Sequence, residues 1–342
     1  MFLGKCDSMV AKKIIVYLMV LLLTAFPASA GDVSINKWVL NLTVHDDGIV
    51  EEVIQIEIRN DGAVPLDGFS FVVPASVVTM IYDFGHTSSF TGQVVKQEKV
   101  PGGTRITLEF NRSVDAGSNW NGRVGFNAEK WAVKDGSDYS IDIPVEVPQA
   151  IVSDKSSPMA VPGNSDVRSQ VFLPKGVEVT SISPEPFRIL FQNNVMVPTW
   201  SPDKLAFGDT ISIEASVSEV LGKIVETEEK INELSARIDE AKKQGFDVSN
   251  AEIYLDNANK YNNNQALGEY WKKDNTLALE YVGYANDELE KAQDSLSGAG
   301  KKIDETTGAD SSKQSPGFAL PVLLLAFILS VLIMKKNWIS KP

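Results

Sequence analysis

Cysteine is almost absent: the 342 residues contain a single one, Cys6. It stands ahead of the first apolar run rather than behind it, where a lipid-attachment cysteine would sit, so no N-terminal lipid anchor is expected. Removal of that leader leaves no thiol, which excludes disulfides, thiolate nucleophiles and cysteine-based zinc sites together. An exported chain without disulfides has to be held by apolar burial alone, which suits a prokaryotic exporter, and 43% hydrophobic residues suffice for packed cores. Histidine is nearly as scarce, with only His45 and His86. An excess of positive charge is lacking as well. The formal charge of −13 and pI near 4.8 argue against a nucleic-acid partner, since phosphate contacts need clustered Lys and Arg.

Catalytic patterns are missing too. There is no H-E-x-x-H, no G-x-S-x-G elbow, no P-loop and no dinucleotide fingerprint. Asp46-Asp47 and Glu51-Glu52 are paired carboxylates, but neighbours in a strand face opposite sides and Asp before Gly is ordinary turn chemistry. Asp46, Asp47, Asp135, Ser137 and Asp138 supply turn oxygens of the kind calcium uses, without a D-x-D-x-D-G loop. Solvated turns account for them better. No catalytic, cofactor-binding or metal-ligating residue is assigned, and no cofactor is expected.

What is present starts at the two ends. Lys12 and Lys13 precede an apolar stretch from Ile14 to Phe26, and Ala28-Ser29-Ala30 has the small-residue cleavage pattern. This reads as a signal peptide over 1–30, cut after Ala30 by the export machinery. Gly317 to Met334 is uncharged and just long enough to cross a bilayer as a helix, and Lys335, Lys336 and Lys341 follow it. Lysine enrichment marks the cytoplasmic side, so residues 31–315 are expected outside and the tail inside. Pro316, Gly317 and Phe318 open this run, with a polar stretch before and a basic tail after. The arrangement resembles the tripartite archaeal PGF-CTERM sorting signal. The resemblance covers residues 316–342 and implies recognition by an archaeosortase, removal of the apolar tail and its replacement by a lipid anchor.

Between the ends, period-two alternation dominates first. Trp38, Leu40, Leu42 and Val44 lead through a His45-Asp46-Asp47-Gly48 turn to Ile54, Ile56 and Ile58, the pattern of a β-hairpin with one buried face. Phe69, Phe71 and Val73, then Ile106, Leu108 and Phe110, then Tyr139, Ile141 and Ile143 repeat it. These strands predict a β-sandwich domain over 31–147. A second small β segment spans 148–216, either its own domain or a lobe sharing the first core. Two N-x-[ST] sequons, at Asn41 and Asn111, fall at outward strand positions and are possible N-glycosylation sites.

After 216 the composition turns to Glu, Lys, Ala and Leu. Val217, Leu221, Ile224, Ile231, Leu234, Ile238 and Ala241 recur at helical spacing. Gly245 suits a helix C-terminus, and Ser249 with Glu252 suits an N-cap. A second helical stretch pauses at Asn262-Asn263-Asn264 and is expected to resume from Gln265 to Leu296. A hairpin or three-helix bundle over 217–297 follows, with its aromatic residues read as core packing. Residues 298–315 are a flexible linker to the anchor at 316–342. The predicted fold class is thus a mainly β, sandwich-like N-terminal part, a helical hairpin or bundle, and a C-terminal transmembrane helix. The function expected is a non-enzymatic, membrane-anchored cell-surface protein, surface-layer-associated, with other envelope proteins or glycans as partners. An extracytoplasmic carbohydrate-active enzyme on a β-sandwich and an accessory subunit of an envelope membrane complex are the alternatives.

Overall fold

The computed structural model describes residues 32–85 and 93–300. Its body is mainly β, with a C-terminal helical region, in the order the composition change requires. Strands β1 (Val33–Val44) and β2 (Val50–Asn60) form the antiparallel hairpin. Trp38, Leu40, Leu42 and Val44 are buried on the same side as Ile54, Ile56 and Ile58. The turn closes at Gly48 with φ +82°, and a Cβ there would stand 2.7 Å from the Ala132 carbonyl oxygen, so glycine is required.

The chain continues through β3 (Leu66–Val73), β4 (Val77–Gly85), β5 (Gln93–Val100), β6 (Gly103–Val114), β7 (Asn119–Glu129), β8 (Val133–Asp135) and β9 (Asp138–Pro144). Then come β10 (Gln149–Val152), β11 (Lys155–Pro158), β12 (Asp166–Phe172), β13 (Val177–Ser183), β14 (Arg188–Gln192), β15 (Val195–Trp200) and β16 (Thr210–Val217). They make a seven-stranded sheet in the order β14-β15-β12-β1-β2-β7-β4, a five-stranded sheet β11-β10-β3-β6-β5, and a four-stranded sheet β13-β16-β9-β8.

Each of these sheets takes strands from both sides of residue 147, so the segments 31–147 and 148–216 share their sheets and their core. The joint that does this is the parallel pairing of β1 with β12, in which Trp38 is opposite Val167 and Asn41 opposite Gln170. Parallel neighbours need a long crossover, and here the crossover includes most of the other two sheets. The inner faces of the seven- and five-stranded sheets meet through aromatic rings. Trp120 on β7 lies 5.3 Å from Phe69 on β3 and 5.2 Å from Phe110 on β6, and Trp38 meets Phe71 at 5.8 Å.

Helix α1 (Glu219–Lys243) starts one residue after β16, with the Ser218 side chain accepting from the Leu221 amide. Val217 therefore belongs to the strand, where it is exposed, and not to the helical stripe; the buried stripe begins at Val220 and Leu221. Gly245, at φ +83°, ends α1 as expected. Helix α2 (Ser249–Asn259) is capped differently from the sequence reading. Val248 holds the cap position, and Asp247 Oδ1 accepts from the Ser249 amide and hydroxyl, so Ser249 is already the first helical residue. Asn262-Asn263-Asn264 do not break the helix either. They lie in a π-helical segment, Lys260–Ala266, that runs straight into α3 (Leu267–Trp271). One reason it holds is that Asn262, fully buried, donates to the Ile224 carbonyl of α1 at 3.1 Å. The true break comes at Lys273, φ +66°, after which Asp274 caps α4 (Asn275–Ser297).

The near end of this bundle is continuous with the β core through Leu221, Ile224, Ala266, Tyr270, Ala278 and Val282, while Ile231, Leu234, Ile238 and Leu289 belong to a second, smaller core. A polar contact secures the junction: Tyr270, buried, donates its hydroxyl to Glu178 on β13. Burial, then the adjacent carboxylate, pushes the Tyr270 hydroxyl above the ordinary tyrosine range. The Tyr270→Phe variant should lose about 1.5–3 kcal/mol, the cost of a hydrogen bond to a charged acceptor, read as a lower urea midpoint with an unchanged slope. Among the described residues no helix is long and apolar enough to cross a membrane. The segments read as signal peptide, anchor and sorting motif, including Ala28, Ala30, Pro316, Gly317 and Phe318, lie outside the described residues, as does His86.

Candidate binding face

Alternation sends every second side chain of the seven-stranded sheet outward. On β1 these are Lys37, Val39 and Asn41, on β2 Gln55, and on β12 Asp166, Arg168 and Gln170. The register aligns them in rows. Asn41 stands beside Gln170, Gln170 beside Thr199 of β15, and Thr199 beside Arg188 of β14. Val39 stands beside Arg168 and Gln55. These residues, with Phe187, Trp200 and Ser201, line a groove of about 360 Å³ on this outer face.

The groove's electrostatics run against those of the chain. Lys37, Arg168 and Arg188 line it against one carboxylate, Asp166, in a protein of net charge −13. Asp166 is engaged by Arg168, Nε to Oδ1 at 2.5 Å. Among the described residues Lys37 and Arg188 have no ion-pair partner, and the Arg188 guanidinium lies 5.6 Å from the ring of Phe187, which is 56% exposed. Amides of Asn41, Gln55 and Gln170 complete the surface, while Thr199 beneath them is buried and donates its hydroxyl to the Val197 carbonyl at 3.3 Å. Such amides both donate and accept. The arrangement can bind a polar, anionic, extended ligand; the serine in its lining, Ser201, donates its hydroxyl to Asp203 at 2.5 Å.

The sequon residues separate here. Asn41 is half-buried within the groove and its Nδ2 donates to the Val53 carbonyl at 3.4 Å. Asn111 is exposed on β6, with the sequon hydroxyl of Ser113 donating to Asp67 at 2.7 Å. His45 sits in the β1–β2 turn, exposed, 4.0 Å from Glu51. The acidic turns are brought together, but Lys134 stands at the junction and donates to the Asp46 carbonyl at 2.8 Å. Among the described residues no group of three or more His, Cys, Asp or Glu is placed to hold a metal ion. The carboxylate pair Glu51-Glu52 is split by the pleat: Glu51 is half-buried on the outer face, whereas Glu52 points into the core and is 3% exposed. Its register neighbours are Leu42 and Phe126, no hydrogen bond or ion pair reaches it from the described residues, and burial pushes its carboxyl from 4.5 up to about 8.

The groove escaped sequence reasoning because its rows depend on β1 meeting β12, over a hundred residues away, and on β14 returning through β15. Outward polar residues at period two were visible on each strand, but nothing local says which strands are neighbours.

No protein-family model matches the chain, and no curated protein matches it. Among solved structures it is similar to an M1 zinc metallopeptidase from Deinococcus radiodurans, at 10% identity and TM-score 0.34, over 54% of this chain and 42% of that one. It is also similar to native leukotriene A4 hydrolase from Saccharomyces cerevisiae, at 14% identity and TM-score 0.30, over 54% of this chain and 29% of that one. The chain thus spans less than half the length of these structures, and likeness at this level carries no argument about function.

Proposed function

We propose that the chain is an exported, membrane-anchored cell-surface protein that displays its β part outside the cell and acts without catalysis, in adhesion, envelope structure or partner binding. The observation that carries this is the pair of apolar segments, Ile14–Phe26 behind Lys12-Lys13 and Gly317–Met334 ahead of Lys335-Lys336, on either side of a folded body. Among its described residues that body contains no helix long and apolar enough to cross a membrane. In this reading the facing seven- and five-stranded sheets are a sandwich-like head, the helices a side module or stalk, and residues 316–342 the transmembrane anchor of the precursor, which a lipid replaces on processing. The resemblance at Pro316, Gly317 and Phe318 supports an archaeal origin, with processing by an archaeosortase. Exposure favours Asn111 over Asn41 as a glycan acceptor.

Intact mass of the native protein extracted from membranes tests this. The expected result is a chain that begins at Gly31, ends near residue 316 with an added lipid, and carries any glycan mass on a peptide containing Asn111. A mass reaching from Met1 to Pro342 without additions would overturn it.

A further inference from the structure

We propose that the outer groove of the seven-stranded sheet binds an acidic polysaccharide of the uronate type; this rests on the surface-display reading above and assigns that site its ligand class. Charge comes first. Lys37, Arg168 and Arg188 converge on a groove with one carboxylate, Asp166, and that carboxylate is already held by Arg168. Among the described residues Lys37, which stands in register between Glu57 and Asp166, and Arg188 therefore have no ion-pair partner, on a chain that carries thirteen net negative charges. The net negative charge of the chain as a whole disfavours an anionic polymer, and this cationic face is where it can settle.

Hydrogen-bonding capacity comes second. Asn41, Gln170 and Thr199 stand in one register row, with Gln55 in the row beside it. The neutral amides of Asn41, Gln55 and Gln170 match sugar hydroxyls, which also donate and accept, better than they match the carboxylate-only side chains of an acidic peptide. Shape comes third. The row from β2 to β14 crosses five strands, roughly 19 Å at the usual strand spacing, long enough for several linked rings. At its β14 end the exposed Phe187, backed by the Arg188 guanidinium, offers a flat apolar surface for the less polar face of a pyranose ring. A guanidinium such as that of Arg188 alongside it takes a carboxylate in two parallel hydrogen bonds.

The test uses full-length protein in detergent, titrated calorimetrically with oligogalacturonate, with neutral dextran oligosaccharide and with poly-aspartate of matched length. The expected result is binding of oligogalacturonate that weakens with salt, with no detectable binding of dextran. Arg188→Gln and Lys37→Gln should each weaken it about tenfold, as loss of one charged hydrogen bond does. Gln170→Ala should weaken it less, and all three variants should keep the parent's thermal midpoint, since these side chains lie on the open face. Failure of oligogalacturonate to bind, or affinity unchanged in the Arg188 and Lys37 variants, would overturn the proposal. Equal binding of poly-aspartate would replace it with an acidic-peptide site, and equal binding of dextran would remove the role of charge. Protease treatment of intact cells reads the display claim separately: a negative titration with an accessible body removes the ligand alone.

Discussion

Replacing Glu52 with glutamine should make the protein markedly more stable at pH 8.5 and leave it nearly unchanged at pH 4.5. The carboxyl is 3% exposed between Leu42 and Phe126, and its folded pKa is raised from 4.5 to about 8. The native state therefore keeps a proton that the unfolded chain releases above 4.5. Stability falls wherever the native state binds more protons, so it should decline as pH rises from about 4.5 to about 8 and level off beyond. At about 1.4 kcal/mol per pH unit the whole decline is on the order of 5 kcal/mol. Glutamine keeps the shape without the ionisation and should abolish this slope. Denaturant melts of both proteins from pH 4.5 to 9 check it: parallel stability profiles would show that Glu52 ionises freely in the folded state.

Phe69→Ala should cost about 3–5 kcal/mol, the range for an aromatic removed from a tight core. Phe69 is fully buried on β3 and its ring lies 5.3 Å from Trp120, 6.0 Å from Phe110 and 6.3 Å from Phe71. It is thus the central ring where the five- and seven-stranded sheets meet. Because strands on both sides of residue 147 share those sheets, the loss should appear as one cooperative transition at lower denaturant rather than as early melting of one segment. Two resolved transitions would mean that the β segments fold separately. Phe187→Ala, at 56% exposure, should change stability by less than about 0.5 kcal/mol and serves as the control.

These two residues also mark what was legible in the sequence. Alternation at Val50, Glu52 and Ile54 already places Glu52 on the inner face, because the pleat cannot turn one residue outward without turning its neighbours. The β1–β2 hairpin was readable for the same reason, with Gly48 marking its turn. Neighbour choice was not readable. Period two fixes a face but carries no information on which strand lies alongside, so the β1–β12 pairing and the groove built on it needed the fold. In the helices the apolar stripe at Leu221, Ile224, Ile231, Leu234 and Ile238 was plain. The three asparagines misled because their poor helix propensity argues for a break, whereas burial of Asn262 against the Ile224 carbonyl outweighs it. At the start of α2, Asp247 competes for the role that Ser249 suggested, since both side chains suit a helix N-terminus and only geometry decides between them.

The central claim is one of topology: a folded body held outside the cell by its C-terminal segment. Its most direct test is protease treatment of intact cells followed by mass spectrometry of the released peptides. The expected result is release of peptides from exposed loops of residues 31–300, with cytoplasmic control proteins untouched. Peptides from this body appearing only after the cells are lysed would contradict it.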